Sequence, residues 1–149
     1  MTDPRFVYVT YINTTPERLW RALTSPEFTR QYWWGREVVS DFEVGSPIHL
    51  EYDGGAKHDI EGTVLAADAP HLLSYTFTDP ADRERGDKPS RITFAVEEAK
   101  DFEGVVKLTV THDDFAPDSP SYEGVSAGWP DILASLKTLL ETGKPLAYA

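Results

Sequence analysis

The chain has 149 residues, of which 40% are hydrophobic and 26% charged, a balance typical of one globular domain that excludes a disordered chain. It contains no cysteine, which excludes a disulfide framework, a thiol nucleophile and a cysteine-based zinc site. Its 25 acidic and 14 basic residues give a formal net charge of −11, so nucleic acid and anionic membrane surfaces are not expected as partners.

One strand and two short helices are predicted at the start of the chain. The β-branched and aromatic run Phe6–Ile12 predicts a strand. Thr15–Glu17 has the pattern of a helix start, with a hydroxyl cap, a proline at the first helical position and an acid in the first turn. Ser25–Glu27 repeats that pattern and predicts a second short helix that ends near Gly35.

Beyond Gly35 the apolar residues recur every second position, which is typical of strands with one buried face. The charged stretch Asp79–Ser90 contains two prolines and a glycine and is expected to be an exposed loop. Six further strands are predicted: Val38–Phe42, Pro47–Tyr52, Asp59–Ala67, His71–Thr78, Arg91–Glu98 and Val105–Asp113.

The last predicted element is a long amphipathic helix, which should end at Gly143 because glycine is the usual residue after a helix C-terminus. Pro130 is expected in its first turn, where a missing N–H costs little. Its apolar face is formed by Val125, Trp129, Ile132, Leu133, Leu136, Leu139 and Leu140.

This order of elements predicts a single α+β domain over residues 4–144, in which a curved seven-stranded antiparallel sheet wraps around the long C-terminal helix. A helix about 10 Å across does not fill the concave face of such a sheet, so a cavity is expected between them. The chain has no basic stretch followed by an apolar core at its start and no run of about 18 apolar residues, so we expect a cytoplasmic protein without membrane insertion.

Four segments of the chain carry a resemblance to a known family: Tyr11–Glu27, Asp41–Pro47, Thr109–Phe115 and Gly128–Gly143. Taken in order, they are similar to the START-like (SRPBCC) superfamily, especially its branch of activator-of-heat-shock-protein-ATPase homologues. The resemblance implies a helix-grip (Bet v 1-like) fold with a deep cavity that binds lipids, polyketides, antibiotics or hormones in different relatives. It also implies that some relatives are cyclases and that others stimulate a chaperone ATPase.

The strand pleat sends alternate side chains inward, so the cavity should be lined mainly by aromatic rings with a few polar tips. His112 shares the inner face of its strand and is the leading polar candidate, as a donor, acceptor or base facing a ligand. The alternative is a structural histidine that bonds to a neighbour such as Asp113 or to a backbone carbonyl. The predicted ligand-binding residues are Trp33, Tyr52, Tyr75, Phe77, Phe94, His112, Trp129 and Leu133.

No catalytic residue, cofactor or metal site is assigned from the sequence. His58 and Asp59 are neighbours in a strand and point to opposite faces, so they do not form a catalytic dyad. The four histidines are scattered singly, without the spacing of metal ligands. No phosphate loop, dinucleotide fingerprint or nucleophile elbow is present.

Three functions are compatible with these observations. The first is non-catalytic binding of a hydrophobic or aromatic small molecule, such as a lipid, polyketide or antibiotic, for sensing, sequestration or a stress response. The second is a cyclase- or hydrolase-like enzyme that uses His112 with a tyrosine or Asp59. The third is a regulator of a heat-shock-protein ATPase, for which the acidic surface would complement a basic partner. The protein could be a monomer or a homodimer.

Overall fold

The structure is a computed structural model and describes residues 4–149. Within them the helices and strands follow closely the order that the sequence predicts, with one additional helix. In chain order the elements are β1 (Phe6–Ile12), α1 (Pro16–Thr24), α2 (Pro26–Tyr32), β2 (Glu37–Val39), β3 (Pro47–Tyr52), β4 (Lys57–Asp68), β5 (Leu72–Phe77), α3 (Pro80–Arg85), β6 (Ser90–Glu98), β7 (Val106–Asp113) and α4 (Ser121–Thr142).

The strands form one antiparallel sheet in the order β1-β7-β6-β5-β4-β3-β2. Strands β2 to β7 are joined to their sequence neighbours, whereas β1 pairs with β7 at the far edge, with Ile12 opposite Val106. The helices α1 and α2 therefore carry the chain from one edge of the sheet to the other. This architecture confirms the predicted α+β class and the helix-grip fold.

The sheet changes direction along β4, its longest strand. The first half of β4 pairs with β3 and the second half with β5, and each pairing contains a register shift of the kind that bends a strand. Gly62 lies between these shifts, and a Cβ at this position would lie 1.8 Å from the carbonyl oxygen of Thr76. Only glycine allows the two strands to approach so closely at the bend.

The core lies between the inner face of the sheet and the second half of α4. The strands contribute alternate residues to it, as their pleat requires. The side chain of Tyr32 joins the short helices to this core, because it is buried and donates a hydrogen bond to the carbonyl of Ala22 at 2.9 Å. The largest fully buried side chains include Ile12, Leu19, Leu50, Leu73, Ile92, Phe94, Leu108, Leu133, Leu136 and Leu140.

The expectation of an exposed loop over Asp79–Ser90 is wrong. Asp79 caps helix α3 through a capping box, in which its carboxylate accepts from the backbone N–H of Asp82 at 2.8 Å. Asp82 and Ser90 are both buried. The prediction failed because this short helix has a charged composition without an apolar stripe, so hydrophobic periodicity does not reveal it.

Two further boundaries differ from the prediction. Helix α4 begins at Ser121, so Pro130 lies inside it and not in its first turn. The residues before Trp129 include two glycines and carry little apolar periodicity, because this half of the helix borders open space and not the packed core. The strand predicted over Val38–Phe42 ends at Val39, and Phe42 has a left-handed backbone with φ of 57°.

Candidate functional site

A pocket of about 180 Å³ lies between the first half of α4, the segment after α2, and the neighbouring ends of β4 and β5. It opens to solvent at one end of the molecule, whereas the other half of α4 is packed against the sheet. Its walls are largely apolar. The lining residues are Trp33, Trp34, Arg36, Asp59, Ile60, Phe77, Asp79, Pro80, Ser121, Gly124, Val125, Gly128, Trp129 and Ile132.

Two buried indoles form the inner wall of the pocket. The ring centroids of Trp33 and Trp129 are 5.1 Å apart with a tilt of 59°. Phe94 meets Trp129 edge to face from the core, at a centroid distance of 5.9 Å. Trp34 follows Trp33 directly but is 43% exposed, so it lies at the mouth.

Glycine creates the space on the helical side of the pocket. No atom lies within 4 Å of a Cβ built on Gly124, and a Cβ on Gly128 would make an ordinary contact at 3.5 Å with the indole of Trp34. Glycine lowers helix stability by about 1 kcal/mol relative to alanine, so two glycines on one helix face are a cost to folding. The cost is consistent with a face that keeps a cavity open.

An ion pair closes one side of the pocket. The guanidinium of Arg36 donates from Nε and Nη2 to the carboxylate of Asp59, with the shortest distance 2.6 Å between Nη2 and Oδ2. Its Nη1 donates to the carbonyl of Trp34 at 3.3 Å, and its charged group lies 5.2 Å from the ring centre of Tyr52. Both charges of this pair are therefore satisfied within the protein.

A second polar group joins α3 to the start of α4. The hydroxyl of Ser121 lies 2.9 Å from Oδ2 of Asp79 and 2.7 Å from Oδ1 of Asp82. A hydroxyl carries one proton, so both contacts are full hydrogen bonds only when one carboxyl group is protonated. Burial is the main cause that raises the pKa of Asp82; the hydrogen bond from Ser121 acts in the opposite direction, and the nearby Asp79 and Asp87 add to the rise.

His112 is fully buried and both of its ring nitrogens are occupied by the protein. Nδ1 accepts a hydrogen bond from the indole N–H of Trp129 at 3.0 Å. Nε2 lies 2.7 Å from the hydroxyl of Ser90, which also lies within hydrogen-bond distance of the carbonyl of Phe77. Burial lowers the pKa of His112 to about 3, so the ring is neutral at physiological pH.

The structure brings only part of the predicted site together at the pocket. Trp33, Phe77 and Trp129 line it. Tyr52 contacts Arg36, which lines the pocket, from the outside and is partly exposed. Among the described residues, the lining does not include the buried side chains Tyr75, Phe94, His112 and Leu133.

Sequence reasoning missed the polar part of the lining. Arg36 and Asp79 belong to stretches that resemble ordinary charged surface, and Ser121 precedes the periodic part of the last helix. One available signal was the spacing of Asp79, Pro80 and Asp82, since an acid, a proline and a second acid three positions after the first can mark a capped helix start. That pattern would have placed Asp79 at a helix terminus.

Across residues 4–149, no three histidine, aspartate or glutamate side chains are grouped so that they could hold a metal ion. The same residues contain no helix that is both long and apolar enough to cross a membrane.

The curved antiparallel sheet, the long C-terminal helix and the pocket between them define a helix-grip protein of the START-like class. A model of the family described as "Activator of Hsp90 ATPase homolog 1-like protein" matches residues 13–141, and the chain belongs to this family. The resemblance recognised in the sequence is thereby confirmed. A comparison with curated proteins finds no match.

Solved structures give the same fold. Protein MLL2253 from Mesorhizobium loti is 29% identical, with 91% of this chain and 96% of that chain covered and a TM-score of 0.71. PFC0360w from Plasmodium falciparum, described as an HSP90 activator, is 23% identical, with coverage of 91% and 95% and a TM-score of 0.73. DynU16, described as a protein in the dynemicin biosynthetic locus, is 19% identical, with coverage of 99% and 51% and a TM-score of 0.74.

Proposed function

We propose that this protein binds a small aromatic or apolar molecule in the pocket beside the first half of α4, as a non-catalytic sensor or sequestering protein of the cytoplasm. The observation that carries the proposal is an open pocket with three indole rings and one phenyl ring in its lining. Pockets that combine apolar walls with a few polar groups are the usual form of small-molecule sites. A chain without cysteine also suits a reducing compartment.

The volume of the pocket limits the size of the ligand. An engineered protein cavity of about 150 Å³ binds benzene. The pocket here has about 180 Å³, which corresponds to one ring with a short substituent, and its open end would allow a longer ligand to extend into solvent. A lipid or a polycyclic compound would therefore be held only by one end.

Tryptophan fluorescence tests this proposal directly, because three of the four tryptophans line the pocket and Trp20 does not. Titration of the purified protein with 2-phenylethanol, a neutral one-ring probe, should change the emission and saturate. A Trp20→Phe variant should retain the change. A signal that is linear in probe concentration, without saturation, would contradict a specific site.

A cavity-filling variant supplies the matched control. Gly124→Phe places a ring in open space on the pocket wall and should abolish probe binding while the fold remains intact. Ala127→Phe introduces the same ring at an exposed position of the same helix and should leave binding unchanged. Equal binding by the two variants would mean that the probe binds elsewhere.

A second candidate function is regulation of a chaperone ATPase. The family description and the similar structure described as an HSP90 activator favour it. The net charge of −11 would complement a basic surface on such a partner. Purified protein should then raise the ATPase rate of an HSP90 in a salt-dependent manner. No change in rate and no complex at micromolar concentrations would exclude this role for the tested chaperone.

A further inference from the structure

We infer that the ligand of this pocket is an organic cation, in which an ammonium group is attached to an aromatic or apolar body of about one ring. This inference rests on the proposed function and names the chemical class that the same pocket selects. It follows from the charges of the lining, from the arrangement of the rings, and from the volume of the cavity.

The positive charge in the lining is not available to a ligand. Arg36 is bound by both carboxylate oxygens of Asp59, at 3.0 and 3.2 Å from Nε and 2.6 Å from Nη2. In such a bidentate pair the positive charge of the guanidinium is compensated by the carboxylate. An anionic ligand would have to displace Asp59 before it could pair with Arg36.

Asp79 is the lining charge without an opposite partner. Its carboxylate accepts hydrogen bonds from the backbone N–H of Asp82 and the hydroxyl of Ser121, which are both neutral donors. Within residues 4–149, no lysine, arginine or histidine forms an ion pair with Asp79. Arg83, on the helix that Asp79 caps, pairs with Glu61 instead.

The nearest titratable neighbour of Asp79 is a second acid, Asp82, which does not compensate its charge. Asp82 is 2% exposed, shares the hydroxyl of Ser121 with Asp79 and does not line the pocket. The pocket therefore combines one compensated ion pair with one free negative charge. Its net charge is negative.

The aromatic walls favour the same class of ligand. The faces of indole rings carry negative electrostatic potential and attract ammonium groups, with tryptophan the strongest of the aromatic side chains. Trp33, Trp34 and Trp129 all border the cavity that Asp79 enters. The overall charge of −11 also raises the local concentration of cations around the protein.

Three probes test the inference on the wild-type protein. They share one phenyl ring and differ in the charge of a short polar tail. They are phenethylamine, 2-phenylethanol and phenylacetate, which are cationic, neutral and anionic at pH 7. Isothermal titration calorimetry at low ionic strength should show that affinity decreases in the order phenethylamine, 2-phenylethanol, phenylacetate. The affinity for phenethylamine should be about tenfold higher than that for 2-phenylethanol. Raising the salt concentration should weaken the binding of the cationic probe only.

Asp79→Asn is the decisive variant. Asparagine is as good a helix cap as aspartate, so α3 should be retained. The variant should lose about tenfold in affinity for phenethylamine and nothing for phenylethanol. Asp82→Asn, which alters the same cluster behind the lining, should retain the preference for the cation.

The outcomes separate the two proposals. If phenethylamine and phenylethanol bind equally well and Gly124→Phe abolishes both, the pocket binds small molecules but the inferred selection by charge is wrong. If phenylacetate binds best, Arg36 and not Asp79 determines the ligand class, and the inference is again overturned. If none of the three probes binds, the proposed function fails as well.

Discussion

The indole N–H of Trp129 donates a hydrogen bond to Nδ1 of His112 at 3.0 Å, inside the fully buried core. An imidazole that accepts at Nδ1 must carry its proton on Nε2, which then faces the hydroxyl of Ser90 at 2.7 Å. This chain of contacts joins the long helix to strands β6 and β7. It also fixes the indole that forms the inner wall of the pocket.

We predict that His112→Ala destabilises the protein by about 3 kcal/mol, since it leaves the indole N–H of Trp129 without a buried partner, removes one of the two hydrogen bonds of the Ser90 hydroxyl and creates a cavity. Urea unfolding measures this loss. His58→Ala, at an exposed position, is the control and should change stability by less than about 0.5 kcal/mol. His112→Gln is the milder variant if the alanine variant does not fold.

The opposite pattern would support a ligand-binding role for this histidine. If His112→Ala kept its stability but lost probe binding, His112 would be a ligand contact, as the sequence first suggested. The two measurements must therefore be made on the same preparation.

A second prediction concerns the protonation of His112. Its pKa is lowered to about 3 by burial, whereas an unfolded histidine titrates near about 6.5. Between these values the unfolded chain binds a proton that the folded chain does not. The stability from this group is therefore complete above about pH 6.5 and decreases by about 1.4 kcal/mol per pH unit below it.

Nitrogen-15 NMR of the histidine side chains measures this behaviour. We expect the His112 ring to remain neutral, with its proton on Nε2, in spectra from pH 7 to pH 5. The spectra of the other three histidines serve as internal references. Titration of His112 near pH 6.5 would contradict both the assigned tautomer and its structural role.

A third prediction concerns the buried acid behind the pocket. The folded-state pKa of Asp82 is raised, chiefly by burial, so the folded chain keeps a proton that the unfolded chain releases. Stability from this group is present below the unfolded pKa and is lost as the pH rises through the folded pKa. Asp82→Asn retains an acceptor for the N–H of Asp79 and a donor for Ser121 without ionising.

We therefore expect Asp82→Asn to melt at a higher temperature than the wild type at pH 7, and the two curves to converge near pH 3. Thermal unfolding followed by circular dichroism from pH 3 to pH 8 measures this difference. Asp82→Ala, which loses both contacts, should be less stable than the wild type throughout. An asparagine variant less stable than the wild type at pH 7 would mean that the carboxylate is the form that the fold requires.

The fold was predictable from the sequence because it depends on periodicity. Strands such as Pro47–Tyr52 and Phe6–Ile12 bury alternate residues, and their bounds were predicted as the structure has them. Helix α3 was missed because a capping box and not an apolar stripe defines it. The start of α4 was missed because Gly124 and Gly128 face a cavity, so the apolar pattern of this helix begins only at Val125 and is sparse before Trp129.

The site was predictable only where it coincides with the core pattern. Trp33, Phe77 and Trp129 are buried apolar residues that also line the pocket. The apolar pattern that predicts the core therefore also predicts these three lining residues. The pairing of Arg36 with Asp59 joins residues 23 positions apart, and Asp59 lies at the register shift between β3 and β4. No local pattern encodes such a contact.

The last prediction concerns the segment after α4, which contacts Trp34 at the mouth of the pocket. The backbone N–H of Trp34 donates to the hydroxyl of Tyr148 at 2.7 Å, and the N–H of Leu146 donates to the hydroxyl of Ser135 at 3.1 Å. Trp34 has a left-handed backbone with φ of 46°, a conformation that a residue with a side chain rarely adopts. A contact from the tail helps to hold it there.

Tyr148→Phe removes this acceptor and should loosen Trp34 without unfolding the protein, with a change in stability within about 0.5 kcal/mol. Trp34 is the most exposed of the four tryptophans, so acrylamide quenching reports on its mobility, and the quenching constant should rise in the variant. Affinity for 2-phenylethanol should fall, because the ring at the pocket mouth is less well placed. Tyr11→Phe, an exposed tyrosine on β1, is the control. Unchanged quenching and affinity in Tyr148→Phe would mean that the tail rests on the pocket mouth without positioning Trp34.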